Sequence, residues 1–257
     1  MSSAIPDTSA SGSDLAGEQA TSNFGGPAVD RRKRTRGVSL MEIIVVIVVI
    51  GVMSTASVSY MRTWKQDQQA AAVARSLADM LALARAEAMR TGSNQLLLFR
   101  IPGVSTSDAV GNPIEDVMGQ SVTAVVVTDR FGGAENCALD TGDTRTSLAA
   151  NDNFTWGVTN ANLRAPLDGN QPTIDSGSTF ARSAAPTTPV NGILFSPRGI
   201  PMTFSANGGG CVTIDSVGSG GGALYITNGR RDYAVVQSPL GGTRFHVWNA
   251  NFGSWSP

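Results

Sequence analysis

Arg31-Arg32-Lys33-Arg34-Thr35-Arg36-Gly37 is followed at once by Val38-Ser39-Leu40-Met41-Glu42 and then by an apolar run from Ile43 to Met53. No other feature limits so narrowly what the chain can become. Basic residues beside a hydrophobic segment stay on the cytoplasmic side, so Arg31 to Arg36 is expected to be held back while the apolar run enters lipid. A secretory signal peptide ends its apolar region at a small-residue cleavage site and is discarded. Here the glycine precedes the apolar run, so cutting after Gly37 would leave the hydrophobic helix on the mature chain.

From Val38 to Met61 the run is broken by Glu42 and by small polar residues such as Ser54, Thr55, Ser57 and Ser59. A helix of about 20 residues crosses a bilayer, so a transmembrane helix is expected over 38–61. The Ile/Val dominance would suggest a buried strand in water. Helix is expected instead because an isolated strand leaves its backbone groups unsatisfied in lipid. Gly51, Ser54 and Ala56 are small enough for close approach of neighbouring helices. Beyond Tyr60 the pattern predicts an amphipathic continuation. Ala70, Val73, Leu77, Leu81, Ala84 and Ala88 recur at three and four residues and share one face. The run is alanine-rich and free of proline and glycine until Gly92, which follows Thr91 as a stop.

After Gly92 the chain changes to short β-type runs between Gly, Pro, Asn, Ser and Asp. The strands expected are Gln95–Phe99, Val122–Thr128, Ile193–Ser196, Met202–Phe204, Cys211–Ile214, Ala223–Thr227, Tyr233–Gln237 and Arg244–Trp248. The fold class predicted is α+β: one long N-terminal transmembrane and amphipathic helix packed on a C-terminal antiparallel β-sheet domain. Residues 100–190 read mostly as loop, with no topology assigned. Cys137 and Cys211 are the only cysteines. In an exported segment an even count suggests one disulfide, the alternative being two separate buried thiols.

The segment from about Arg31 to Met61 resembles the class III signal of type IV prepilins and type II secretion pseudopilins. The resemblance implies that a prepilin peptidase cuts between Gly37 and Val38 and methylates the new N-terminus. Glu42 then becomes the fifth mature residue, placed to pair with the freed amine of a neighbouring subunit during filament assembly. The sequence departs from that pattern in having Val38 where phenylalanine is usual and in its long leader. Farther on, Gly192-Ile-Leu-Phe-Ser-Pro-Arg-Gly199, Ala223-Leu-Tyr-Ile-Thr-Asn-Gly-Arg-Arg231 and Asp232-Tyr-Ala-Val-Val-Gln-Ser-Pro-Leu-Gly-Gly-Thr-Arg244 are similar to the GspH/FimT group of minor pseudopilins and minor pilins. The fold implied is type IV pilin-like. Residues 1–37 would be a cleaved cytoplasmic leader, 38–61 the transmembrane helix, 62–91 the stalk and 92–257 a periplasmic GspH/FimT-like domain. The protein would be a single-pass component of the cell inner membrane, incorporated into the filament.

The function implied is that of a minor pseudopilin of a type II secretion pseudopilus. Such a subunit primes assembly near the tip and supports export of periplasmic proteins. Its partners would be other pseudopilins or pilins, the prepilin peptidase and an inner-membrane assembly platform. The second reading is a FimT-like minor pilin of a type IV pilus that contacts DNA. Arg230, Arg231 and Arg244 would then serve as DNA or subunit contacts, but Gly229-Arg230-Arg231-Asp232 carries aspartate where that element has a second arginine. Loss of residues 1–37 leaves 14 Lys and Arg against 16 Asp and Glu, a balance that argues against broad phosphate binding. No enzyme is expected, and no cofactor or metal. His246 is the sole histidine, and Ser216-Val217-Gly218-Ser219-Gly220 lacks the leading glycine of a nucleophile elbow.

Overall fold

The computed structural model describes residues 37–128, 137–140, 142–207, 210–213 and 215–257. The expectations for residues 1–36, including the basic cluster Arg31 to Arg36, and for the strand end at Ile214 lie outside the described residues. The chain divides into two compact units, Met1–Ile50 and Gly51–Pro257, each taken here by itself. One helix, α1, runs from Leu40 to Thr91 over 52 residues and contributes to both.

In the first unit, Val38 to Ile50 leave their large apolar side chains between 47 and 77 % exposed. The transmembrane helix expected over 38–61 is corrected by the structure. Among the described residues no helix is long and apolar enough to cross a membrane. The single-pass inner-membrane placement, which depended on that span, is corrected with it.

In the second unit, α1 buries one stripe. Ala70, Ala74, Leu77, Leu81, Ala84 and Ala88 are fully buried, with Val73 and Met80 nearly so. The alanines bring the helix axis close to what lies beneath, and Leu77 and Leu81 fill the middle of the contact. Gly92, with φ 66°, ends the helix by donating its N–H to the Ala88 carbonyl at 3.0 Å.

A second correction concerns the sheet. Among the described residues the strands form two five-stranded antiparallel sheets and two small hairpins rather than one sheet. The first is built from β1 (Gln95–Phe99), β2 (Val122–Thr128), β3 (Thr144–Ala149), and then β7 (Gly192–Phe195) and β8 (Pro201–Met202), in the order β3-β2-β1-β7-β8. The second contains β4 (Thr155–Trp156), β11 (Gly222–Thr227), β12 (Asp232–Gln237), β13 (Thr243–Asn249) and β14 (Ser254–Ser256), in the order β14-β13-β12-β11-β4. The hairpins pair β5 (Ala181–Arg182) with β6 (Ala185–Pro189), and β9 (Phe204–Asn207) with β10 (Gly210–Thr213).

Both large sheets turn one face to α1. Leu97, Phe99, Ala124, Val126, Ile193 and Phe195 come from the first, and Leu224, Ile226, Tyr233 and Val235 from the second. Their other faces are covered too. Leu96, Leu98, Val125, Val127 and Leu194 pack beneath Ile114, Cys137, Leu139 and Phe204. Ala223, Tyr225, Ala234 and Val236 pack with Ala165, Ile174 and Trp255. Burial on both faces explains why β1, β11 and β12 are continuous apolar runs without strict alternation.

A disulfide joins Cys137 to Cys211 across 74 residues, with Cα atoms 4.9 Å apart. It ties the cover of the first sheet to β10. Truncating Leu77 to alanine should cost about 2–5 kcal/mol, because it empties fully buried space in the core that α1 shares with the two sheets. Replacing both cysteines by serine should cost about 2–4 kcal/mol through the freed loop. Denaturant unfolding of each variant measures both effects.

Candidate functional site

Gly37 and Val38 precede α1 in non-helical, exposed backbone. Ser39 is the residue before the helix, and its carbonyl accepts the N–H groups of Glu42 at 2.9 Å and Ile43 at 3.2 Å. Glu42 lies in the first turn, where a carboxylate complements the positive end of the helix. Ser39 and Glu42 therefore have the spacing of a capping box, a signal written in the sequence as Ser-x-x-Glu. Around them are the exposed side chains of Val38, Leu40, Met41, Ile43 and Ile44.

The C-terminal arginines are placed by the hairpin joining β11 and β12. Gly229 takes φ 81°, the Asn228 N–H reaches the Arg231 carbonyl at 3.3 Å, and the Asn228 side chain accepts the N–H groups of Arg230 and Arg231. This turn docks on α1 at Asp67. The Asn228 amide donates to Asp67 Oδ1 at 2.6 Å, and the Tyr233 hydroxyl donates to the Asp67 carbonyl at 3.1 Å. Arg231 Nε lies 3.5 Å and Arg230 Nη1 3.9 Å from Asp67 Oδ2. Burial, then the Asp67 carboxylate, pushes the Tyr233 phenol above its ordinary range.

Arg244 is not part of this group. It pairs in register with Val236, whose side chain belongs to the cluster on the sheet face away from α1. The three arginines are thus not gathered on one surface, because strand alternation sends Arg244 to the opposite side from Asp67. Arg230 and Arg231 border a cavity of about 350 Å³ together with Trp248, Asn249 and Asn251.

Asp232 follows the same alternation. Fully buried, its carboxylate accepts the backbone N–H groups of Thr159 at 3.0 Å and of Asn160 and Ala161 at 2.6 Å each. Where the resembled element has an arginine, this chain has an anchor for the loop after β4. Asp168 does comparable work nearby. It accepts the Tyr225 hydroxyl at 2.7 Å and the Thr179 hydroxyl at 2.9 Å, and Arg164 lies 3.5 Å away. Burial, then the Asp168 carboxylate, pushes the Tyr225 phenol far up. Nothing in the sequence marked Asp67 or Asp168, since Asp67 meets Asn228 and Tyr233 161 and 166 residues away and the Tyr225 partner of Asp168 lies 57 residues away. Among the described residues no group of three His, Cys, Asp or Glu side chains is arranged to hold a metal ion.

No family model, curated protein or solved structure matches the chain. Replacing Asp232 with alanine should cost about 2–3 kcal/mol, because three backbone donors lose a charged acceptor. Replacing Asp67 with alanine should cost under about 1 kcal/mol, since the arginines it meets are more than half exposed. Thermal unfolding of the two variants side by side checks that ranking.

Proposed function

We propose that the chain is a minor subunit of a helical filament, a pseudopilin of a type II secretion pseudopilus that helps prime assembly near the tip. The carrying observation is the exposed apolar start of α1, led by Gly37 and holding Glu42 in its first turn. Large apolar side chains exposed over a contiguous stretch mark a surface that is covered in the working assembly. A contact between different patches on successive subunits does not close on itself and so builds a filament.

Cleavage after Gly37 would expose the Val38 amine. Glu42 of the adjoining subunit then offers the carboxylate that fixes axial register. The prepilin peptidase supplies the cut, and the assembly platform and other pseudopilins supply the growing end. The domain from Gly51 onward serves as an architectural module carried by the helix. The DNA-contacting alternative gains no support from the arginines, which meet Asp67 or lie on the other sheet face.

Intact-mass measurement of the chain recovered from its native host should give a polypeptide beginning at Val38 and carrying one methyl group. Replacing Glu42 with alanine should reduce incorporation into sheared filaments at least tenfold while leaving the steady-state level of the protein unchanged. Recovery of an uncut chain, or undiminished incorporation of the variant, would remove the basis of this reading.

A further inference from the structure

The second sheet ends in a strap. β14 holds three residues and, among the described residues, pairs only with β13, in the register Val247↔Ser256, Trp248↔Trp255 and Asn249↔Ser254. Its one large side chain, Trp255, packs on Trp248 with ring centroids 5.3 Å apart and on Tyr225 at 5.7 Å. Its indole N–H donates to the Leu163 carbonyl at 2.7 Å. Tyr225, Ala234 and His246 follow one another across β11, β12 and β13 in register. Trp255 therefore touches Tyr225, the far member of the row that ends in His246, and Trp248, two residues beyond His246 on β13.

His246 is 5 % exposed, and neither ring nitrogen meets full hydrogen-bond geometry with a partner among the described residues, the Ser256 backbone lying only close enough to favour the charged ring weakly. A charged imidazole would need a carboxylate here, and those nearby are committed. Asp232 is held by three backbone N–H groups, and Asp168 by Tyr225, Thr179 and Arg164. On its own strand the neighbour on the same face is Arg244, a cation. The β14 residues next to β13, Trp255 and Ser256, are uncharged, and Pro257 is exposed. Burial, and after it the Arg244 guanidinium, holds the imidazole below the usual histidine range, against a weaker upward pull from the Ser256 backbone.

We propose that His246 is an acid-sensitive latch under the C-terminal strap, and that its protonation releases β14 and Trp255 from the sheet. The sign follows from linkage. The released state binds a proton near the ordinary histidine pKa and the latched state binds one only at lower pH. The strap is therefore fully held above about pH 6.5 and loosens as pH falls below it. Release uncovers Trp248, Tyr225 and the outer edge of β13, a surface rich in aromatic side chains.

The test is hydrogen exchange at the Ser254–Ser256 amides of the full chain in mild detergent, with each rate divided by that of an unstructured peptide at the same pH. From pH 7.5 to 5.0 the normalised rate should rise at least tenfold in the native chain and stay flat in H246F. R244Q removes the repelling cation from the latched state, so protonation costs the latch less and the acid-induced rise should shrink; a rise as large as in the native chain would show that the imidazole does not feel Arg244. A flat native profile, or an unchanged rise in H246F, overturns the proposal. Should H246F fail to fold, direct titration of the His246 ring protons in the native chain replaces it: a midpoint at or above 6.5 also overturns the latch.

Discussion

A single stripe on α1 has to satisfy two sheets at once, and the rest of the second unit is arranged around that requirement. Four of its six fully buried positions are alanine, so backbone comes close to backbone, while Leu77 and Leu81 occupy the centre. Larger residues at Ala70 or Ala88 would push one sheet away, and smaller ones at Leu77 would leave a void bounded by both. The two sheets share a core through the helix, without being joined as one ladder.

Covering the other two faces falls to irregular segments, which are long because each sheet needs a lid. Such lids bury polar backbone, and the chain answers with carboxylates. Asp108 accepts the N–H groups of Val110 at 3.0 Å, Asn112 at 2.8 Å and, across 31 residues, Leu139 at 2.8 Å. Asp232 and Asp168 perform the same service beneath the second sheet. Buried acids are costly when unpaired, so each lid is fastened in one arrangement. The disulfide adds a covalent fastening where the first lid meets β10.

The beginning of α1 obeys a different rule. It shows apolar side chains and carries Glu42 with Ser39 at the spacing of a helix cap. Among the described residues no helix is long and apolar enough to cross a membrane, so the membrane crossing expected for it does not stand. An exposed apolar helix calls for a cover, and in the filament proposed above a neighbouring subunit would supply one of the same chemistry. Glu42 sits where a carboxylate complements the positive end of the helix, and the proposed assembly would use the same acid to set register.

The sequence by itself determined what short-range rules control. Three- and four-residue spacing of Ala70 to Ala88 marked the buried stripe, Gly92 marked the helix end, and Asn228-Gly229 marked the hairpin between β11 and β12. The central strands were legible because they are apolar on both faces. Edge strands β3, β4 and β14 were not, since Thr144–Ala149 and Ser254–Ser256 are polar or exposed and acquire strand geometry only by pairing with a buried neighbour. Tertiary structure alone decided that the strands split into two sheets, that Arg244 faces away from Arg230 and Arg231, and that Asp67 and Asp232 are anchors. Those outcomes rest on partners tens of residues away in sequence, and no local pattern encodes a contact whose other half is so remote.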